Sequence, residues 1–422
     1  MTSFDSQTAG NNQLSLGIKF LGNRRTYLRL LMRGAALLMV TLGIYRFWLA
    51  TDVRRYLWAN TEIGGETLEY SGTPFELLIG FLVAVAILIP IYAGFFLATL
   101  DLGLFGSLSG VIAFGALWVL GQYAVYRARR YRLTRTIYRG LRFHQTGSAW
   151  AYALRASLWW IVSGITLGLA YPFQLASLER YKMRNTFYGD LAGRFDGSGW
   201  RLFLRGVPMW IAVVAPIAVT VGAFFEVVDL QALADATAAG GDDVMSRIEA
   251  TNPALASVLV FAMLMGGASL AIGAFLYPAF QALLLRWWSS GLRFGGIEMR
   301  SSLRTVQVYG AYIRFLWYAI LFAILAGILG AIGLIVIGAV TADAVNIRGE
   351  IVAAGIVLIG YVFVALGFST VYRATVMFSL WQLGMESLQL SGLSALETVK
   401  ATGRPSSALG EGLADALHVG GY

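Results

Sequence analysis

The side chains that could carry acid–base or metal chemistry are few in this chain of 422 residues. There is no cysteine, which excludes thiolate metal sites and thiol nucleophiles, and the two histidines are His144 and His418. Neither histidine has a partner at the spacing of a metal site, and no serine-nucleophile motif accompanies His144. We therefore expect no enzymatic activity, no cofactor and no metal. A cluster of His144 with Glu62 or Asp190 would instead favour an enzyme that acts on lipid.

Basic side chains are the abundant chemically useful groups. The chain has 32 Lys and Arg against 23 Asp and Glu, which gives a formal net charge of +9. Near an anionic membrane surface each basic residue contributes about 1 kcal/mol of attraction. The arginine-rich run 127–142 therefore predicts anionic lipid head groups as partners, whereas nucleic acid is not expected because basic loops also orient membrane helices. The predicted lipid contacts are Arg127, Arg129, Arg130 and Arg132.

Long apolar runs are the elements that must hold these residues. The sequence is 58% hydrophobic and 13% charged, against about 25% charged residues in soluble domains. Six charge-free runs each contain about 20 residues or more, which is enough for a helix to cross ~30 Å of hydrocarbon. They predict an all-α, multi-pass membrane protein with six spanning helices. The runs are 77–100, 102–126, 206–225, 250–285, 315–342 and 351–372.

Two further apolar segments, 27–50 and 150–178, are ambiguous. If both span, the protein has eight spans, and one of two basic clusters, 127–142 or 180–205, falls on the outer side against the positive-inside rule. If both turn back, all Lys and Arg residues except Arg247 and Arg348 lie inside. We therefore predict two re-entrant or interfacial helical hairpins and both termini in the cytoplasm. The predicted outer loops are Asp101, Glu226–Glu249 and Asp343–Glu350.

Internal repeats connect these helices. Asn60-Thr61 recurs as Asn185-Thr186, and Thr41-Leu42-Gly43 recurs as Thr166-Leu167-Gly168. Short alternating segments broken by glycine predict short cytoplasmic β-hairpins, which must lie outside the hydrocarbon because open strand edges cannot face lipid. These segments are 17–20, 63–65, 141–143, 187–189, 292–295 and 388–392, with second strands at 68–72 and 194–197.

The repeats also predict how the chain is divided. We expect a disordered cytoplasmic tail, three membrane repeats of which the last is shorter, and a second cytoplasmic tail. The corresponding ranges are 1–16, 17–126, 127–285, 286–392 and 393–422.

The two short hairpins suggest where a ligand could bind. Backbone turns within a membrane persist only where protein or a water-filled cavity surrounds them, and transporters place substrate sites there. This favours a small-solute or lipid transporter or channel, and its candidate cavity or lipid contacts are Thr41, Arg46, Thr166 and Gln174. If the hairpins lie flat in the head-group layer, the alternative is a non-catalytic scaffold or regulatory protein. Such a protein would bind anionic lipid or a protein partner through its cytoplasmic face.

The first repeat resembles the YjgN-like bacterial inner-membrane proteins, a family with a domain of unknown function. The resemblance rests on Thr41–Trp48 (TLGIYRFW), Arg54-Arg55-Tyr56, Asn60-Thr61 and Leu68–Thr73 (LEYSGT). It extends from about Lys19 to Ser391 and weakens in the later repeats. The resemblance implies a bacterial cytoplasmic-membrane location, but it implies neither an activity nor a catalytic residue.

Overall fold

The computed structural model describes residues 16–101, 104–238, 250, 254–342, 347–396, 399–402 and 407–419. The predicted disordered tail 1–16, apart from Leu16, and parts of the predicted loops 226–249 and 343–350 lie outside the described residues. The chain forms two compact units. One contains Met1–Ser198 and Leu285–Tyr422, and the other contains Gly199–Leu284.

Eleven short antiparallel strands of the first unit form one sheet, in the order β3-β2-β1-β11-β10-β9-β8-β7-β6-β5-β4. The terminal strands of this order, β3 and β4, are separated only by Leu68, whose N–H donates to the Thr61 carbonyl oxygen (3.1 Å). The sheet is therefore a nearly closed, barrel-like ring. The strands are β1 Leu16–Phe20, β2 Thr61–Ile63, β3 Glu66–Thr67, β4 Glu69–Tyr70, β5 Thr136–Tyr138, β6 Leu141–Gln145, β7 Thr186–Tyr188, β8 Leu191–Phe195, β9 Leu292–Phe294, β10 Ile297–Ser301 and β11 Leu388–Ser391.

The prediction of an all-α fold with separate small hairpins is wrong. Strands occur where the glycine-broken segments lie, but each hairpin pairs with the next, and β1 closes the series by pairing with β11 through Leu16 and Leu390. Two-stranded hairpins are at best marginally stable in water, and their unpaired edges present free N–H and C=O groups. Joining the hairpins into one sheet pairs those edges.

The five helical segments between the strands all leave and re-enter the sheet at paired residues. Phe20 faces Thr61 across the β1–β2 pair, for example, so the chain departs for the first helical segment and returns from it at adjacent positions. A segment with this connection must contain a helix that goes out and one that comes back. The junctions are Phe20 with Thr61, Tyr70 with Thr136, Gln145 with Thr186, Phe195 with Leu292 and Ser301 with Leu388.

The helical segments differ in length. Six described helices are long and apolar enough to cross a membrane, which is compatible with a multi-pass membrane protein. Their apolar stretches are Pro74–Leu97, Leu108–Arg135, Gly199–Val227, Ser257–Gly291, Thr305–Ala339 and Gly349–Glu386. The helices are α1 Arg24–Val40, α2 Arg46–Ala59, α3 Pro74–Asp101, α4 Leu104–Arg135, α5 Ala149–Ile165, α6 Tyr171–Arg184, α7 Gly199–Val227, α8 Leu230–Ala238, α9 Leu255–Gly291, α10 Thr305–Ala342, α11 Ile347–Tyr372, α12 Phe378–Glu386 and α13 Leu409–Ala416, with a π-helical turn at Arg373–Met377 and a 3-10 turn at Leu393–Leu396.

The pairs α1–α2 and α5–α6 are short and built alike. In each pair the first helix has 17 residues and the second has 14, or about 25 Å and 21 Å at ~1.5 Å per residue. Asn60 Nδ2 donates to the Tyr56 carbonyl oxygen (2.7 Å), and Asn185 Nδ2 donates to the Tyr181 carbonyl oxygen (2.7 Å). The repeated Asn-Thr pair therefore ends the second helix of each short pair in the same way.

Candidate functional site

A cavity of ≈ 290 Å³ lies in the first unit, where α2, the end of α9 and α12 approach the strand ends. Its wall is mainly aromatic and aliphatic, with Tyr27, Trp58, Trp288 and Trp381 among the lining residues. Arg54 and Arg373 also line it. An apolar wall with a few polar groups that fix orientation is typical of small-molecule sites.

Two tryptophans form one wall of this cavity. Trp58 and Trp381 stack with ring centroids 4.9 Å apart and planes at 28°. Their indole N–H groups donate to the hydroxyls of Thr136 (3.0 Å) and Thr61 (3.1 Å). Because the polar end of each indole is already bonded, the wall that remains for a ligand is apolar.

Arg54 is the buried charge at the cavity, with only 5% of its surface exposed. Its Nη1 donates to the Tyr70 hydroxyl (3.1 Å), and its Nη2 forms an ion pair with Glu411. The other Glu411 oxygen lies 4.0 Å from Arg132 Nε. Burial alone would lower the pKa of Arg54, but the Glu411 carboxylate and Tyr70 raise it above its ordinary value. Arg54 is therefore a fixed positive charge.

Helix α13 brings Glu411 to this position. Gly410 lies against the backbone of Arg127, and Gly412 lies against the backbone of Gly80. A side chain at either glycine would overlap those backbone atoms, so the sequence Gly410-Glu411-Gly412 lets α13 pack directly between α3 and α4. Residues 407–419 are thus a packed part of the first unit.

A second buried ion pair lies beside the cavity. Glu179 pairs with Lys182 and accepts a hydrogen bond from Trp288 Nε1 (3.2 Å), so one cavity-lining tryptophan is held by this pair. Burial alone would raise the pKa of Glu179, but the charges of Lys182 and Arg129 lower it below its ordinary value. Burial lowers the pKa of Lys182. Glu179 is therefore ionised at neutral pH.

The predicted cavity residues Thr41 and Thr166 close the turns of the two short helical pairs. Each hydroxyl donates to the carbonyl four residues earlier (2.7 and 2.8 Å) and accepts from the N–H four residues later (3.0 and 3.1 Å). These two hydrogen bonds at each turn explain why the repeat has a threonine at both positions. Neither threonine lines the cavity beside Arg54.

The other two predicted cavity residues also contact protein groups. Arg46 pairs with Asp415 of α13 (2.9 Å) and lies 4.2 Å from the ring centre of Phe81. Gln174 is 2% exposed and accepts a hydrogen bond from the Ser163 hydroxyl (2.7 Å). The structure thus places the four residues in two separate helical pairs and away from this cavity. Their contact with lipid or with another ligand stays a prediction.

The four arginines predicted to bind anionic lipid point to different neighbours. Arg132 approaches Glu411, and Arg129 Nη2 lies 3.4 Å from the sulfur of Met183. Arg130 donates to the carbonyl of Thr146 (3.0 Å) and to the next carbonyl in the chain. Arg127 contacts α13, as described above. Lipid contact at these arginines stays a prediction.

Among the described residues, no three His, Asp or Glu side chains are grouped so that they could hold a metal ion. His144 stacks on Phe187 with ring centroids 5.1 Å apart and planes at 12°. Burial lowers the pKa of His144, so its imidazole is neutral at pH 7. A neutral, stacked histidine is consistent with a role in sheet packing.

Sequence patterns predicted neither the cavity nor the role of Glu411, but one pattern marks where the helical segments begin. Phe20, Tyr70 and Phe195 each end a strand, and the ring of each packs on the glycine two residues later. This aromatic-X-Gly pattern before a helix identifies the strand–helix junctions. Glu411 could have been singled out as an acidic residue between two glycines in an apolar segment.

Comparison with known proteins identifies a family. Residues 15–416 match the family described as "Bacterial protein of unknown function (DUF898)". No curated protein and no solved structure is significantly similar to the chain.

Proposed function

Because the chain belongs to this DUF898 family of bacterial proteins of unknown function, which confirms the resemblance seen in its first repeat, we propose a function from the cavity itself. The protein is a membrane transporter that binds a small amphiphilic anion beside Arg54. The single observation that carries this proposal is a fixed, buried positive charge in a cavity whose wall is otherwise mainly apolar.

The cavity matches both ends of such a molecule. Stacked Trp58 and Trp381 offer an apolar surface to a hydrocarbon chain, while Arg54 and Arg373 offer guanidinium groups, which suit carboxylates and phosphates. The volume of ≈ 290 Å³ is near the lower end of the ~300–1,000 Å³ typical of ligand pockets. A single short chain with an anionic head therefore fits better than a whole two-chain lipid.

Glu411 supplies a means of release. In the structure its carboxylate neutralises Arg54, and a buried arginine left without any anion would be strongly destabilising. An anionic ligand and Glu411 would therefore compete for the same guanidinium. Exchange between the two anions keeps Arg54 paired while the ligand enters and leaves.

The binding experiment uses decanoate, with decanol and decyltrimethylammonium as neutral and cationic controls. Cavity tryptophans Trp58, Trp288 and Trp381 report binding by fluorescence of the full chain in detergent. We expect decanoate to bind at least tenfold more tightly than decanol, since hydrogen bonds to charged groups contribute about 1.5–3 kcal/mol. Equal binding of decanoate and decanol would contradict the proposal.

Variants test the two arginines separately. R54Q and R373Q are expected to weaken decanoate binding, and R373Q keeps the test informative if R54Q fails to fold. The matched control is R55Q, because Arg55 is the neighbouring residue but bonds to the Gly72 carbonyl (2.9 Å) and does not line the cavity. Transport is then measured as decanoate release from vesicles containing each variant, with R373Q slower than R55Q.

A scaffold or regulatory role is the second candidate. The observation that favours it is the continuous sheet, whose strands flank all five helical segments. Vesicle experiments distinguish the two candidates: tight decanoate binding without any flux would favour a regulatory protein that senses the ligand. The absence of both binding and flux would favour a scaffold.

For location, we propose the bacterial cytoplasmic membrane, with the sheet and both termini in the cytoplasm. The distribution of arginine and lysine supports this orientation. Cysteine labelling suits this naturally cysteine-free chain. E66C, on exposed β3, should react with a membrane-impermeant maleimide only from the cytoplasm, and E350C should react only from the periplasm. The reverse pattern would refute the orientation.

A further inference from the structure

A second pocket of the first unit, of ≈ 760 Å³, lies on the α5–α6 pair and β8, and it shares no lining residue with the cavity beside Arg54. Four arginines line it and only one acidic residue, Asp196. Such an excess of positive charge around one pocket favours an anionic ligand. The four are Arg155, Arg180, Arg184 and Arg194.

Neighbouring groups hold several of these arginines in place. The Arg155 guanidinium lies 4.6 Å from the ring centre of Tyr181, Arg180 Nη2 donates to the Gly197 carbonyl (3.3 Å), and Arg194 Nη2 pairs with Asp196 (2.9 Å). Each of these contacts leaves most of the five N–H donors of a guanidinium for another partner. The pocket therefore combines positioned arginines with donors that a phosphate can accept from.

An exposed apolar stripe runs along α5 beside this pocket. Its members recur every three or four residues, which places them on one face of the helix. Arg155 lies three residues before Leu158, so the two are neighbours on the helix surface and the stripe passes beside the basic pocket. The stripe comprises Trp150, Leu154, Leu158, Ile161 and Ile165, which are 53%, 63%, 63%, 60% and 78% exposed.

We propose that this pocket binds the phosphate-bearing head group of an anionic phospholipid, whose acyl chain lies along the α5 stripe. The pocket supplies the charge complementarity and the stripe supplies the apolar surface, and an anionic phospholipid combines a phosphate with an acyl chain long enough to follow the stripe. This site is distinct from the cavity beside Arg54, and it does not depend on the transport function proposed there. None of its arginines belongs to the α4 arginines that the sequence analysis predicts to contact anionic lipid.

The test measures energy transfer from protein tryptophan to dansyl-labelled phosphatidylglycerol in mixed detergent micelles with the full chain. The pocket variant is R155Q/R184Q, and the matched control is R25Q/R300Q, which removes two exposed arginines outside the pocket. We expect the pocket variant to lose about tenfold or more in affinity, since charge-assisted bonds to phosphate are lost. The control should stay within about twofold of the wild type.

Competition identifies the part of the ligand that is recognised. Unlabelled phosphatidylglycerol should displace the probe, whereas phosphatidylcholine, whose head group is neutral overall, should displace it poorly. Displacement by inorganic phosphate at the same concentration would assign the pocket to a free phosphate ion instead. The exposed stripe variant L158N should weaken lipid binding and leave any phosphate binding unchanged. Equal affinity of the pocket variant and the control for the lipid would overturn the proposal.

Discussion

Glu411 forms an ion pair with Arg54 across 357 residues of sequence, and both side chains are buried. The pair fastens α13, near the end of the described chain, to α2 in the first repeat. Because the same carboxylate also lies 4.0 Å from Arg132 of α4, the helices α2, α4 and α13 meet at Glu411. Loss of this carboxylate is therefore expected to lower the stability of the whole first unit.

The first prediction concerns this carboxylate. E411Q leaves Arg54 buried without a counter-charge, and breaking one partner of a buried ion pair costs roughly 3–5 kcal/mol. We expect a large fall in thermal stability, measured by tryptophan fluorescence on heating in detergent. The control is E298Q, which removes an exposed carboxylate 3.8 Å from Arg293 and should change stability by less than about 1 kcal/mol. Equal stability of both variants would show that α13 does not hold the unit together.

The second prediction concerns the glycines that let α13 approach. In G412A the new methyl group overlaps the backbone of Gly80, which cannot yield as a flexible side chain would. We expect a loss of about 1–3 kcal/mol, together with faster protease cleavage after residue 407. The control is G310A in α10, where a methyl group meets no neighbour within 4 Å and is expected to be neutral or stabilising by up to about 1 kcal/mol.

The sequence patterns predict where the strands lie, but they do not predict which strands pair. Glycines such as Gly64 and Gly189 break alternating segments, and both adopt positive φ in the turns (59° and 55°), so the turn positions were visible in the sequence. The pairing of Leu16 with Leu390 was not visible, because local periodicity carries no information about a partner several hundred residues away. The predicted all-α fold class was wrong because these long-range strand pairings could not be predicted.

The candidate site was harder to predict than the fold. Arg54 stands next to Arg55 in the sequence, and nothing local shows that one is buried in an ion pair while the other bonds to a carbonyl near the surface. The cavity wall also joins Trp58 and Trp381, which come from opposite ends of the chain. A site assembled by closure of the sheet cannot be identified before that closure is known.

The third prediction concerns pH. The folded-state pKa of Glu179 is lowered, since the charges of Lys182 and Arg129 outweigh its burial. The ionised form thus stabilises the folded protein above the ordinary carboxyl pKa of 4.5, and this stabilisation is lost as the pH falls from there through the lowered folded value. E179Q has no carboxylate at this position, so its unfolding free energy should not show this part of the decrease at acidic pH. Unfolding free energies measured from pH 7 downwards for wild type and E179Q test this.

The expected result is a difference between the two proteins that is largest at neutral pH and shrinks below about pH 4.5. Fluorescence of Trp288, which donates to Glu179, should change over the same acidic range. A stability difference that stays constant with pH would mean that Glu179 contributes through its shape and hydrogen bonds rather than through its charge.

The last prediction concerns Leu42, at the turn of the first short helical pair. Its φ is +49°, in the left-handed region, and its side chain is 94% exposed. A left-handed conformation costs an L-residue with a side chain roughly 1–2 kcal/mol, and contacts within the protein do not repay this at so exposed a position. The second repeat places Leu167 at the equivalent turn with φ +50°. We infer that lipid contact offsets the strain at this turn.

Two measurements test this explanation. L42G should change the stability of the protein in detergent by less than about 1 kcal/mol, because glycine removes the strain of positive φ together with the apolar contact that offsets it. A nitroxide attached to L42C should be more accessible to oxygen, which partitions into lipid, than to a water-soluble nickel chelate. The control nitroxide on E66C should show the opposite preference, since that strand is predicted to lie in water. If the nitroxide at position 42 prefers the nickel chelate, the turn of the first short pair lies in water and does not touch the membrane.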